Sequence, residues 1–366
     1  MWTARTVTGK VGASCASLAL SLLCGCGLDL AKYFAADTAT VPNAVAIDRA
    51  LRQSALTQSE QPFHLVLSIS PPAGGQADMS ANIEIFWLNA VTYRTVIHSH
   101  DFTQTRIVNG SVIEEHDVGG FYPRWIENFV GALLDPVPQA AMLRKSKGTI
   151  AVDSSSHACI SGTRSAVDDV AAVTRVCLQG KEPRITTSED FTHYVAFDDF
   201  APFGSQQIAR TVVNDLPANV LVRGRIVVLE PLAQSDYLLV KAGEFTLPEK
   251  RIETALVPVA SAEAMLEAES AQKWNGFLMR PAGRRIAGMS AKTSEGTESA
   301  SAIYVRTDRT GKVREAYPDS ADIYGLQKAA VSMALTLKFK PLVVNGVPRQ
   351  MEAPLMLPSN TVANGQ

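Results

Sequence analysis

The 366-residue sequence has no surplus of charge: 34 Lys and Arg stand against 36 Asp and Glu, a net of −2. That balance excludes the basic stripe a nucleic-acid partner calls for, and equally a chain held open by like charge. Aromatics are scarce at 7 per cent, so no aromatic cage is advertised. The common signatures of catalysis are missing too. There is no Gly-x-Ser-x-Gly elbow, no Gly-x-x-x-x-Gly-Lys-Ser/Thr loop, no Gly-x-Gly-x-x-Gly turn and no His-Glu-x-x-His pair. Ser270 and Lys273 do form a Ser-x-x-Lys pair, but in a polar stretch without companion motifs, and chance explains it. No repeat of solenoid period is visible. These absences leave an enzyme without a supporting residue set, and no cofactor is called for.

Cysteine is sparse and unevenly placed. Of five, Cys15, Cys24 and Cys26 lie near the start, so only Cys159 and Cys177 remain in the body. Arg5 and Lys10 precede an apolar run from Val11 to Leu23, the layout of an export signal and too short for a comfortable span. The run ends Leu23-Cys24-Gly25-Cys26, which resembles a bacterial lipoprotein signal with Cys26 as the acylated residue. Cys24 departs from the small residue usual there, and cleavage near Ala35-Ala36 or a retained anchor are the alternatives. Export to the periplasm, with membrane association through a lipid anchor, is the expectation. In that oxidising compartment Cys159 and Cys177 favour a disulfide. A metal site with His157 is the rival reading.

What is present is patterning. Hydrophobic residues make up 46 per cent, enough to bury a sizeable core. Pro42 to Leu56 carries Ala44, Ile47, Leu51 and Ala55 at helical spacing. Alternation then takes over. Runs at Phe63–Ile69, Ala81–Trp87, Tyr93–Ser99, Phe102–Val108 and Ser111–His116 read as antiparallel strands, with a turn at Pro71 to Gly75 and the Asn109-Gly110 pair as a hairpin signal. Pro123 to Leu134 reverts to helical spacing through Trp125, Phe129 and Leu133, stopped by Pro136 and Pro138. Further strand-like runs reach Glu230, with Asp199 to Gly204 read as a loop. The run Asn82-Ile83-Glu84-Ile85-Phe86-Trp87-Leu88-Asn89-Ala90-Val91-Thr92-Tyr93-Arg94 resembles the outer-membrane lipoprotein sorting family, LolA- and LolB-like, with Ala90 where that family has Pro. The resemblance implies an antiparallel half-barrel lidded by helices, with a greasy concave wall only partly filled by its own side chains. Its implied ligand is a lipid or lipoprotein acyl chain. Phe86, Trp87, Tyr93, Phe121, Trp125 and Phe129 are the candidates to line the groove, although Phe86 and Trp87 point to opposite faces and at most one can. Plain core is the default reading for each.

Ser301 to Pro358 is the most legible stretch. Asp308, Thr310 and Gly311 mark a reversal between two strands. Leu326, Ala329, Ala330, Met333 and Leu337 mark a helix face, with Ser320 or Asp322 able to cap it. Pro341 ends the helix and Asn345-Gly346 turns the chain into a last strand. The order Asp308-x-x-Gly311-Lys312-Val313-Arg314-Glu315, Leu337-Lys338-Phe339-Lys340-Pro341, then Asn345-Gly346-Val347-Pro348 resembles the C-terminal domain of TonB-type energy-transducing proteins. It implies a small ββαβ domain that offers a strand edge to an envelope protein. The predicted layout is therefore mainly β, α+β: an export segment over 1–26, a half-barrel over 40–246, a linker over 247–273, the ββαβ domain over 274–358 and a tail over 359–366.

Remaining polar clusters carry bland readings. His98, His100, His116 and Asp101 could be imagined around zinc, but read better as the exposed side of a hairpin. Arg284, Arg285, Arg306, Arg309, Lys312 and Arg314 form a basic neighbourhood whose default is a solvated face.

Overall fold

The alternation from Phe63 onward does build a sheet. The computed structural model describes residues 39–70, 79–152, 157–167, 170–190, 193–216, 220–241, 254–278, 291–292, 298–299, 301–318 and 326–357. The chain divides into two units at Thr38: Met1–Thr38 lies outside the described residues, and Ala39–Gln366 holds all of the architecture described. The readings for Cys26, for the turn at Pro71 to Gly75 and for a cap at Ser320 or Asp322 fall outside the described residues as well.

Strand β1 (Ala39–Pro42) leads into helix α1 (Asn43–Ser54). Five strands come next: β2 (Phe63–Ser70), β3 (Ala81–Asn89), β4 (Thr92–Ser99), β5 (Thr103–Asn109) and β6 (Val112–Val118). Helices α2 (Arg124–Leu134) and α3 (Ala140–Lys145) interrupt them. The second run is β7 (Thr149–Val152), β8 (His157–Val167), β9 (Val170–Gln179), β10 (Arg184–Asp190), β11 (His193–Phe203), β12 (Gln206–Leu216) and β13 (Val220–Pro231), closed by helix α4 (Tyr237–Lys241). The main sheet has 11 strands in the order β6-β5-β4-β3-β2-β13-β12-β11-β10-β9-β8, every pair antiparallel. Two meanders are stitched through β2 and β13, and the outer strands β6 and β8 do not meet. The result is an open half-barrel with α1, α2 and α3 on its concave side and α4 on the other.

Strict period-2 burial along β2 puts Phe63, Leu65, Leu67 and Ile69 on the concave face, and Ile83, Ile85 and Trp87 join them from β3. Lid helix α2 answers with Trp125, Ile126, Phe129, Ala132 and Leu133, one stripe of its surface. Gly224 on β13 makes room for it: a Cβ there would stand 2.9 Å from the Phe129 ring. Helix α1 covers the other half of the sheet with Ala46, Ile47, Ala50 and Leu51, meeting Leu143 of α3 and Val176, Leu178 and Ile185 of β9 and β10. The loop expected at Asp199 to Gly204 is instead strand through Phe203. Asp199, at φ 55°, interrupts the ladder for one residue, but the register is unchanged across it, Asp198 facing Thr211 and Phe200 facing Ala209, so the strand runs on.

Cys159 and Cys177 are opposite each other in the β8–β9 register and are joined by a disulfide, so neither sulfur is free as a metal thiolate. The bond closes a separation of 18 residues next to the open end of the sheet. Replacing Cys177 with Ser should lower stability by about 3 kcal/mol. Urea denaturation with and without reductant checks this: reductant should weaken the wild type and leave the variant unchanged.

The C-terminal domain begins earlier than its composition suggests. β14 (Thr254–Leu256), α5 (Val259–Ala262) and α6 (Ala268–Leu278) occupy the stretch read as a linker. Val257, Ala262, Leu266, Trp274 and Phe277 are all buried in the C-terminal core. The polar Ala/Glu-rich surface of α6 hid the widely spaced apolar residues that anchor it. Ser270 is buried as well, and its Oγ accepts the Lys338 N–H at 2.8 Å. The short strands β15 (Ala291–Lys292) and β16 (Glu298–Ser299) pair with each other. Then come β17 (Ser301–Thr307), β18 (Val313–Pro318), α7 (Leu326–Ala334), β19 (Leu342–Val344) and β20 (Val347–Leu357), the ββαβ order expected with the short β19 added before the last strand. Their sheet runs β14-β20-β17-β18, with β19 hairpinned onto β20 through Asn345 and Gly346. On α7 the buried positions are Ala330 and Ala334, then Leu337 just beyond, whereas Ala329 is exposed: the helix is rotated from the face predicted.

Candidate functional site

The six aromatic candidates separate into four places. Trp87 and Tyr93 face each other across the β3–β4 register and stack at 5.1 Å, with Phe63 stacked on the far side of Trp87 at 5.9 Å. They floor a cleft of about 390 Å³ whose walls are Leu51 of α1, Leu134 and Pro136 at the end of the lid, and Ala140 and Arg144 of α3. That size is in the range of small-molecule sites. Asp135 lies on its rim, and burial raises its carboxyl above the usual range, partly offset by the Val137 N–H. Arg144 Nε donates to Asp48 Oδ1 at 2.8 Å on the same rim. The cleft is thus aromatic at its floor, while Thr57, Gln58, Asp135 and Arg144 make much of its exposed wall polar.

Trp125 and Phe129 are elsewhere: both are on the lid and buried against the sheet. The void beneath the lid measures only about 20 Å³, room for little more than a water. The concave wall expected to be partly unfilled is therefore filled by α2, and the 390 Å³ cleft opens at the lid's C-terminal end. Phe86 is on the convex face, packed with Leu232 and Val240 under α4 and stacked on the His64 ring at 4.7 Å. Period-2 alternation sends it away from Trp87, so it leaves the groove set. Phe121 leaves it too: it precedes the lid, and the Arg314 guanidinium of the C-terminal domain lies 5.3 Å from its ring centre.

A second polar constellation went unread in the sequence. Arg306, assigned to a solvated face, is 0% exposed. Its Nη1 is 2.7 Å from Glu127 Oε2 on the lid, and its Nη2 donates to Thr254 Oγ1 at 2.6 Å. The Arg124 backbone N–H, in the lid's first turn, donates to both Glu315 oxygens at 3.1 Å. Arg124 Nη1 donates to Glu352 Oε2 at 2.7 Å. Gln350 clasps Tyr122, just ahead of the lid, from both sides: its Oε1 accepts the Tyr122 N–H at 2.9 Å, and its Nε2 donates to the Tyr122 carbonyl at 3.0 Å. Burial alone would lower both guanidinium pKa values, but Tyr317, Glu352 and Glu127 around Arg124, and Glu127, Glu315 and Glu352 around Arg306, more than reverse it and hold both above the ordinary arginine range. Burial pushes the Tyr122 and Tyr317 hydroxyls up.

Histidine chemistry adds nothing further. His100 pairs with its neighbour Asp101 at 2.6 Å in the turn after β4, and among the described residues no three His, Cys, Asp or Glu side chains gather as a metal site. His64 sits between Glu84 and Glu230 on the convex face, at 2.8 and 3.2 Å.

An open antiparallel half-barrel with a helical lid, followed by a small α+β sheet, is the class this architecture defines. No family model and no curated protein matches the chain. Among solved structures it is similar to a LolA superfamily protein from Nitrosomonas europaea, at 10% identity and a TM-score of 0.33, over 54% of this chain and 97% of that one. It is also similar to a DUF1329 family protein from Desulfovibrio piger, at 10% identity and a TM-score of 0.27, over 54% of this chain and 97% of that one.

Proposed function

We propose that the chain is a non-enzymatic, exported envelope protein that holds the acyl chain of a lipid or lipidated partner, with Cys26 acylated as its own membrane anchor. The observation that carries this reading is the 390 Å³ cleft floored by Trp87 and Tyr93 at the lid's C-terminal end. Each methylene buried there contributes about 0.8 kcal/mol, so a chain enclosed over most of its length binds usefully. Asp135 and Arg144 at the mouth supply one group of each sign for a polar head.

Ala90 offers the cleanest test, because it lines the cleft from an exposed turn and lies outside the buried core. Ala90→Trp should weaken binding of a fluorescent fatty acid by about tenfold or more, a loss of about 1.4 kcal/mol, without lowering thermal stability. Organic extracts of the purified wild type should contain lipid by mass spectrometry. Extracts free of lipid, together with no binding of the probe, would remove the reading.

A second reading has one observation in its favour. Among the described strands β18 pairs with β17 alone and ends the C-terminal sheet; the Leu337 carbonyl takes the Val313 N–H at its start, and the rest of the strand is an edge of the kind that accepts a partner strand. On this reading an envelope protein docks there. A proline at Arg314 on that edge should abolish recovery of the partner in crosslinking from envelope fractions, and unchanged crosslinks would exclude it.

A further inference from the structure

We propose that the C-terminal domain is a latch on the lid: the polar cluster gripping the first turn of α2 keeps that helix seated in the half-barrel, and loosening the grip frees α2 while both cores stay folded. The two ends of one helix serve two purposes. Leu134, at its C-terminal end, walls the cleft, while Arg124 and Glu127, in its first turn, are held by the C-terminal sheet. The 11 residues of α2 carry the connection from latch to cleft along about 16 Å of helix, so what happens at one end tilts the wall at the other. Only the purpose of such a latch rests on the proposed function; the latch itself is read from contacts.

The grip and the seat differ in kind. α2 meets the half-barrel through apolar side chains and the neutral Asn128–Asn214 pair at 3.4 Å, none of which titrates. It meets the C-terminal domain through charges. Two cations, Arg124 and Arg306, face three carboxylates, Glu127 of the lid, Glu315 of β18 and Glu352 of β20. Tyr317 lies beside Arg124 from β18, and Tyr122 feels Arg106 and Glu115 from β5 and β6 as well as Glu127 and Arg306. One negative charge is in excess; Glu127 reaches water at 45% exposure, so the excess is felt at Glu315. Burial pushes the Glu315 carboxyl up to about 7, against the pull of Arg306 and Arg124 and with Glu127 adding to the rise.

The sign follows from linkage. The seated latch holds a proton that Glu315 would give up near 4.5 once exposed to water. The grip is therefore strongest below that value, weakens as pH rises through the interval to about 7, and is flat above it.

Hydrogen exchange on the full chain without added lipid tests this. Between about pH 5.5 and about pH 7.5, with intrinsic rates corrected, protection of the α2 amides should fall about tenfold or more while that of β2 to β4 holds. Glu315→Gln should erase the pH difference. Equal α2 protection at both pH values in the wild type, or a loss shared by the β2–β4 core, overturns the latch. A protein that binds no lipid yet shows the selective loss keeps the latch and removes only the acyl-chain reading.

Discussion

Gly311→Ala should cost the C-terminal domain about 4 kcal/mol or more, an effect out of proportion to one methyl group. Gly311 is at φ +83°, in the left-handed region where an L side chain is strained. The larger part of the cost is spatial. A Cβ built on Gly311 would collide with the Phe339 carbonyl oxygen, 2.0 Å away, and backbone cannot step aside as a flexible side chain can. The two segments are also tied, because the Phe339 N–H donates to the Gly311 carbonyl at 2.8 Å. Phe339 and Leu337 are both buried in the domain core, so moving that backbone pulls on the packing. Gly110→Ala is the control. Gly110 has a similar φ, +62°, with nothing within 4 Å of its Cβ position, and the change should cost only about 1 kcal/mol. Urea denaturation of both variants separates strain from collision: equal costs would mean that the close approach to Phe339 is not made in solution.

That turn is legible in the sequence because a reversal leaves its mark in adjacent residues. Asp308 Oδ1 accepts from Thr310 N, Thr310 Oγ1 and Lys312 N, so the carboxylate, hydroxyl and glycine that signal the turn also build it. The same holds for the meander, where Leu65, Ile83 and Ile85 declare their face by alternation. The latch is hidden for the opposite reason. On β17, Ile303 and Val305 face the core, and Tyr304 and Arg306 fall on the reverse face. In a single sheet that face meets water, and nothing local says that a helix from far earlier in the chain covers it. Glu315 is hidden twice. Counted by twos from the buried Val313 it belongs in the core, but the register slips between Arg306 and Thr307, so Glu315 pairs with Arg306 and turns to the polar face. Alternation carries no mark of a bulge, and a one-residue slip reverses every assignment beyond it. Trp87 and Tyr93 are legible as a pair of aromatics on one sheet face, but whether the lid leaves them a cleft depends on where α2 stops.

Arg306→Met should cost about 3–5 kcal/mol at neutral pH, although methionine is a fair match in length and better suited to a dry site. The reason is what the arginine leaves behind. Glu127 loses a contact at 2.7 Å and Thr254 loses a donor at 2.6 Å. Glu315 and Glu352 then share Arg124 as the remaining cation facing them in the cluster. A buried pair broken at one partner is far more costly than a pair replaced at both, so Arg306→Met combined with Glu127→Leu should recover part of the loss. Arg306→Lys keeps the charge but not the fork: one ammonium cannot present two planar nitrogens to partners on different elements, and an intermediate cost is expected. The pH dependence identifies the cause. Glu315, already pushed up to about 7 by burial and pulled down chiefly by Arg306, rises further in the variant. A protonated Glu315 needs no cation, so the penalty should shrink as pH falls from about 8 to about 5. Denaturation midpoints of wild type and variant across that range measure it. A cost below about 1 kcal/mol, or one that does not change with pH, would mean that Arg306 reaches water and that the C-terminal sheet does not hold the lid through it.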